Sequence, residues 1–247
     1  MKNLLIYGIN PVSEALRSDR CRIKELWVAQ GRELKGLEGI TSMAESKRVP
    51  VRKVERSQLD SLTKGASHQG VVGSIDHFNY ADLDEVLQRE EGEPFLLVLD
   101  GIEDPRNLGA LIRTAGACGV WGVIIPKDRA VGITPAVAKS SAGAVFHIPL
   151  IRVTNISSTL RRIKERGIWV IGAAAEAQTD LFHHDLAIPL AVVIGGEGRG
   201  IRPLVKRECD LLASIPMRGK VNSLNASVAG ALILYEVIRQ RDNTLHA

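Results

Sequence analysis

Spacing of apolar positions divides the chain into two stretches of different rhythm. In the first, short apolar runs alternate with helical patterns. Residues 4–8 read as a strand, and a helix opens at Asn10 and Pro11 and runs through Leu16, with Asn10 as cap and Pro11 at the first helical position. Residues 23–29 predict a strand and 33–46 a helix. Residues 49–54 predict a strand that contains Pro50 and so belongs at a sheet edge. A short helix at 57–62 and a last strand at 70–75 complete this part. Residues 82–91 then read as a short acidic helix ending at Gly92.

From Pro94 onward the alternation is regular. Strands are predicted at 95–99, 122–125, 145–150, 169–174, 191–194 and 211–215. Helices are predicted at 108–118, 135–142, 156–166, 203–208 and 224–241. Such βα alternation specifies a parallel sheet covered on both faces. In the last helix Leu224, Val228, Ala231, Tyr235 and Ile238 fall on one stripe, and Ile233, Leu234 and Val237 widen it until little can face water. The expected organisation is an α/β domain over 1–76, a linker over 77–93 and a larger α/β domain over 94–247.

Composition narrows the class. At 45% hydrophobic and 24% charged residues, the 247-residue chain is ordinary for a globular protein. No run approaches the ~20 apolar residues of a membrane span, and the apolar N-terminal run is too short for a signal peptide, so a cytoplasmic protein is expected. Aromatic residues make up only 4%, which leaves few stacking platforms for single strands. Cys21, Cys118 and Cys209 lie far apart outside any CxxC spacing and read as free thiols, with no metal implied. Charge is uneven. Residues 1–80 carry 13 basic against 9 acidic side chains, 81–92 carry 1 against 5, and 93–247 carry 18 against 14. Two mildly basic bodies joined by an acidic segment suit a polyanionic partner without requiring one.

Three loops at predicted strand ends can carry chemistry. In the first, Asn107 is placed to cap a helix, Gly109 lets a ligand approach its first turn, and Arg113 shares a face with Gly109 and can bind phosphate. The second, Gly195-Gly196-Glu197-Gly198-Arg199-Gly200-Ile201, fails as a dinucleotide fingerprint because Ile201 stands where the third glycine belongs. Glu197 in it either caps a helix or contacts a ligand. The third runs from Ile215-Pro216-Met217 to Ser223-Leu224-Asn225, where Ser223 or Asn225 can cap the last helix.

Taken together, Asn107-Leu108-Gly109-Ala110-Leu111-Ile112-Arg113, then Gly195-Gly196-Glu197-Gly198 with Gly200-Ile201, then Ile215-Pro216-Met217 with Ser223-Leu224-Asn225-Ala226-Ser227-Val228-Ala229, resemble in order and spacing the three motifs of the SpoU/TrmH branch of the SPOUT RNA methyltransferases. Tyr7-Gly8-Ile9-Asn10-Pro11-Val12 and His68-Gln69-Gly70 are similar to the small substrate-binding domain of members that methylate large-subunit ribosomal RNA. The resemblance implies an α/β fold: a C-terminal parallel-sheet SPOUT domain with a deep trefoil knot, and a small N-terminal α/β RNA-binding domain. It implies S-adenosylmethionine as methyl donor without a metal, a ribose 2′-hydroxyl as acceptor, and a guanosine of 23S ribosomal RNA as the expected target. Transfer RNA, or a non-catalytic role in ribosome assembly, is the alternative. It further implies a homodimer packed through the C-terminal helix. Donor contacts carried over are Gly196, Ile215 and Leu224. Arg113 would bind the target ribose or its phosphate and stabilise developing oxyanion charge, since a guanidinium stays protonated. Asn107 would orient the acceptor, Glu197 would hold Arg113, and Ser223 and Asn225 would shape the acceptor side.

Overall fold

The computed structural model describes residues 4–31, 36–76 and 78–245. Contacts group them into two units, Met1–Asn79 with Ile133–His147, and Tyr80–Gly132 with Ile148–Ala247.

The first unit opens with β1 (Leu4–Tyr7) and α1 (Ile9–Arg17). The helix starts one residue before the expected cap, because Gly8 at φ +95° turns the strand directly into it, which leaves Asn10 in the first turn. β2 (Ile23–Ala29), α2 (Leu37–Ser46), β3 (Val51–Val54), α3 (Arg56–Thr63) and β4 (Val71–Ile75) follow. Of the helix expected over 33–46, residues 33–35 lie outside the described residues. The sheet order is β1-β4-β2-β3, with β4 antiparallel to both neighbours. β3 lies at the edge, as expected, but it is shorter than the 49–54 read from the sequence, and Pro50 falls just before it.

The second unit begins at α4 (Leu83–Leu87), whose cap Asp82 accepts from the Asp84 amide at 2.8 Å. It continues through β5 (Phe95–Asp100), α5 (Pro105–Ala117) and β6 (Gly122–Pro126). α6 (Pro135–Ser140) then packs in the first unit, although the sequence pattern assigns residues 133–147 to the larger domain. There Lys139 Nζ donates to Gln69 Oε1 at 2.5 Å, and His147 Nε2 lies 2.7 Å from a Glu14 carboxylate oxygen. The strand expected at 145–150 does not form. Its first half is a 3-10 turn, Ala144–Phe146, following Gly143 at φ +90°, and Ser18 Oγ donates to the Phe146 carbonyl. Only its last residue joins a strand, β7 (Leu150–Val153).

Next come α7 (Ile156–Lys164), β8 (Trp169–Ala173), β9 (Leu190–Gly195), α8 (Pro203–Lys206), β10 (Leu211–Ala213) and α9 (Ala226–Leu245). The six strands run parallel in the order β10-β8-β9-β5-β6-β7. Every residue of central β5 is buried, as expected for a parallel sheet covered on both faces. Leu96 and Val98 join Leu160, Ile163 and Val193 in one apolar cluster, while α5 and α9 pack together.

α9 corrects the helical stripe read from the sequence. Ile233, Leu234 and Val237 are buried, whereas Val228, Leu232 and Tyr235 are about half exposed at 48%, 47% and 57%. Gly230 settles which face turns inward. A Cβ there would lie 2.3 Å from Leu111 Cδ2, so the glycine lets α9 sit close on α5. Leu224 precedes the helix. At the other end, Arg241 donates to the Pro94 and Ile188 carbonyls at 2.9 and 2.8 Å.

Candidate active site

Three strands of the second unit end at one cavity of about 940 Å³. Its walls are residues 173–176 after β8, 194–201 after β9, 213–217 after β10, and 222–226 leading into α9, with Lys206 and Ala229. The strand order reverses beside β5, and ligands in open α/β sheets bind at such switch points.

Close backbone approach shapes this end. Asp100 and Gly195 pair across the last register of β5 and β9. A Cβ on Gly196 would lie 2.4 Å from the Gly101 carbonyl oxygen, and one on Gly195 would lie 2.1 Å from the Gly200 carbonyl carbon. The glycines are therefore demanded by backbone, which no rotamer change can relieve. Asp100, 1% exposed, ties the loop down: its carboxylate accepts from Arg202 Nε at 2.7 Å and from the Arg202 amide at 2.8 Å. Sequence reasoning misses this pair, since neither residue belongs to a glycine-rich run.

Asn107 does not cap α5. Asp104 does, accepting from the Arg106 amide at 2.7 Å, and Pro105 takes the first helical position. That frees the buried Asn107 amide for longer-range work. Its Nδ2 donates to Glu197 Oε1, and its Oδ1 accepts from Asn225 Nδ2 at 3.0 Å. Asn225 is also the cap of α9, accepting from the Ser227 amide at 2.8 Å. One amide side chain thus joins all three loops.

Glu197 is held by Asn107 and forms no hydrogen bond or ion pair with Arg113 among the described residues, unlike the expected pairing. The helix explains why. Six residues apart on α5, Asn107 and Arg113 point about 120° away from each other. Arg113 is exposed, outside the cavity lining, and has no hydrogen-bond or ion-pair partner among the described residues. Ser223 is exposed at the cavity rim, and Gly196, Ile215 and Leu224 line the cavity. The loop after β8 also lines it, a contribution absent from the sequence reading although this loop too sits at a strand end. From that loop Glu176 pairs with Lys206, whose hydrogen bond holds the Glu176 carboxyl below the usual range.

The residues present fit S-adenosylmethionine. The cavity is in the size range of small-molecule sites, and no aromatic side chain lines it. Recognition therefore falls to backbone and aliphatic groups. Along the cavity wall the amides of Ile215, Met217 and residues 222–225 find no partner among the described residues. A row of unpaired amides and carbonyls suits an adenine edge and an amino-acid head group. Among the described residues no cluster of histidine, cysteine and acidic side chains is arranged to hold a metal ion, and no helix is long and apolar enough to cross a membrane. Burial pushes the Cys209 thiol up to about 12, which makes it a poor nucleophile at neutral pH.

Comparison with known proteins decides the family. Residues 94–235 match the SpoU rRNA Methylase family, and residues 5–81 match RNA 2′-O ribose methyltransferase substrate binding. The chain belongs to the SpoU rRNA methylase family. This SpoU methylase is 47% identical to the putative TrmH family tRNA/rRNA methyltransferase YacO of Bacillus subtilis, over 96% of each chain. It is 44% identical to the 23S rRNA (guanosine-2′-O-)-methyltransferase RlmB of Pseudomonas syringae, over 96% of this chain and 95% of that one. Among solved structures it resembles the SpoU methyltransferase AviRb from Streptomyces viridochromogenes in complex with AdoMet. The TM-score is 0.84 at 28% identity, covering 97% of this chain and 91% of that one.

Proposed function

We propose that this chain transfers the methyl group of S-adenosylmethionine to a ribose 2′-hydroxyl of ribosomal RNA, at a guanosine of the 23S molecule. The observation that carries this reading is the strand-end cavity, walled by two of the family's motif loops and joined to the first through Asn107. Relatives acting on 23S ribosomal RNA at 44% identity support the substrate class. Substrate binding falls to the domain over 1–76, to which residues 133–147 add, and catalysis to the rest of 94–247. The protein works in the cytoplasm, a reading supported by relatives that act on ribosomal RNA. The deep trefoil knot that the family resemblance implies belongs to the same reading.

Backbone groups of Gly196, Ile215 and Leu224 hold the donor, which supplies an electrophilic methyl group on a sulfonium. Asn107, buried behind the cavity wall, holds Glu197 and Asn225, which line the cavity, and through them orients the acceptor ribose, while Ser223 shapes the rim. Arg113, unpaired among the described residues and solvent-facing, meets the ribose or its phosphate and stabilises charge developing on the 2′-oxygen. Positioning dominates such an in-line displacement, in which the O–CH3 bond forms as the S–CH3 bond breaks, S-adenosylhomocysteine leaves and the hydroxyl proton is released. Incubating the protein with methyl-labelled donor and an unmodified 23S transcript tests the reading. Label should appear as one 2′-O-methylguanosine; no incorporation into ribosomal RNA, or incorporation only into transfer RNA, sinks it.

The protein acts as a homodimer through α9. Val228, Leu232 and Tyr235, spaced i, i+4 and i+7, form an exposed apolar stripe on the helix face turned away from α5, and a second copy buries it. Leu232→Glu is expected to sediment as a monomer while the parent protein sediments as a dimer. A monomeric parent at micromolar concentration overturns the dimer.

A further inference from the structure

The first unit carries another cavity, of about 660 Å³, that the proposed reaction does not use. It lies between the end of α1, the start of β2, the C-terminal end of α2 and the end of β4. Arg22, Lys24, Lys47 and Arg48 line it, against Asp19 and Asp76. Lys24 is paired with Asp76. Arg22, Lys47 and Arg48 are exposed and have no ion-pair partner among the described residues. Lys47 stands beside Cys21, where its charge works against the burial that pushes the thiol up to about 11.

Arg48 occupies a position that local structure would give to glycine. α2 ends with the Arg48 amide donating to the Glu45 carbonyl at 3.0 Å and the Val49 amide donating to the Ala44 carbonyl at 2.8 Å. In this helix stop the residue at Arg48 is left-handed, and its φ is +56°. Attraction to the helix C-terminus accounts for cations at Lys47 and Arg48. It does not account for Arg22, which comes from the other side of the cavity.

We propose that this cavity seats a phosphodiester of the RNA substrate, an inference that rests on the RNA-methylating reading above. Arg22 and Arg48 offer planar forks to phosphate oxygens and Lys47 a point charge. No aromatic side chain lines the cavity, so a base has nothing to stack on and the site reads backbone charge without sequence preference.

The test uses full-length protein, an unmodified 23S transcript and a salt series, with thermal unfolding and donor affinity measured alongside. Arg22→Ala/Lys47→Ala should weaken transcript binding by about 5- to 20-fold and lower the slope of log affinity against log salt by about one or two, as loss of one or two phosphate contacts does. Arg48→Gly relieves the left-handed strain, so it should unfold at the same or a higher temperature while binding the transcript more weakly. Donor affinity should stay within about twofold in both, a control for overall integrity. If both variants bind the transcript like the parent while the parent methylates it, the cavity assignment is wrong and the functional reading stands. Tight binding of inorganic phosphate or ATP that the transcript fails to displace also overturns it, in favour of a small-anion site. If the parent binds the transcript and the variants lose salt slope, but no methyl group is transferred, the cavity stands and the functional reading fails. A parent that binds no RNA overturns both.

Discussion

Arg113→Ala is expected to lower the single-turnover rate of methyl transfer by about 100- to 1,000-fold, the cost of removing one group that stabilises developing negative charge. Protein stability should hardly change. Arg113 is exposed and partnerless among the described residues, and such surface changes stay within about 0.5 kcal/mol. Loss of rate and loss of fold are therefore separable by a thermal melt on the same sample. Arg113→Lys should recover part of the rate, because it keeps the charge and loses the planar fork. Rates of both variants measured across pH discriminate further. A charge-stabilising role predicts a similar deficit throughout the range, whereas a proton-accepting role predicts a deficit that changes with pH. Near-normal single-turnover rates in both variants remove Arg113 from catalysis.

The second large effect is expected at Gly196. Alanine there puts a methyl group 2.4 Å from the Gly101 carbonyl oxygen, well inside contact distance. Because the obstacle is backbone at the end of β5, the loop after β9 must move as a whole. That displaces the cavity wall and strains the Gly196 amide, which donates to the Asp100 carbonyl at 3.0 Å. Overpacking of this kind costs about 1–3 kcal/mol, so donor affinity by calorimetry should fall roughly 5- to 150-fold. The sheet beneath should remain folded, since the buried β5 and β9 pairing lies below the clash. Donor affinity within twofold of the parent would show that the loop after β9 is not a wall of the donor site.

What the sequence determined by itself was the parallel α/β class, the three strand-end loops and the family. Runs such as 95–99 and 191–194 have the continuous apolar character of strands buried on both faces, and that signal is local. Order and spacing of the motifs are likewise written along one dimension. Which partner each motif residue takes is not. Asn107 resembles a helix cap because caps are judged from neighbours in sequence, yet Asp104 has that task and Asn107 reaches Glu197 and Asn225, 90 and 118 residues away. The same limit applies to α9. Its apolar residues cover so much of the helix that periodicity cannot choose a core face, and the choice falls to Gly230 packing on Leu111. It also hides the excursion of residues 133–147 into the first unit, because an apolar segment such as Val145-Phe146 satisfies either core. Only the tertiary structure decided these points, since hydrophobic burial is non-directional and a residue's partner is fixed by which backbone can approach it closely.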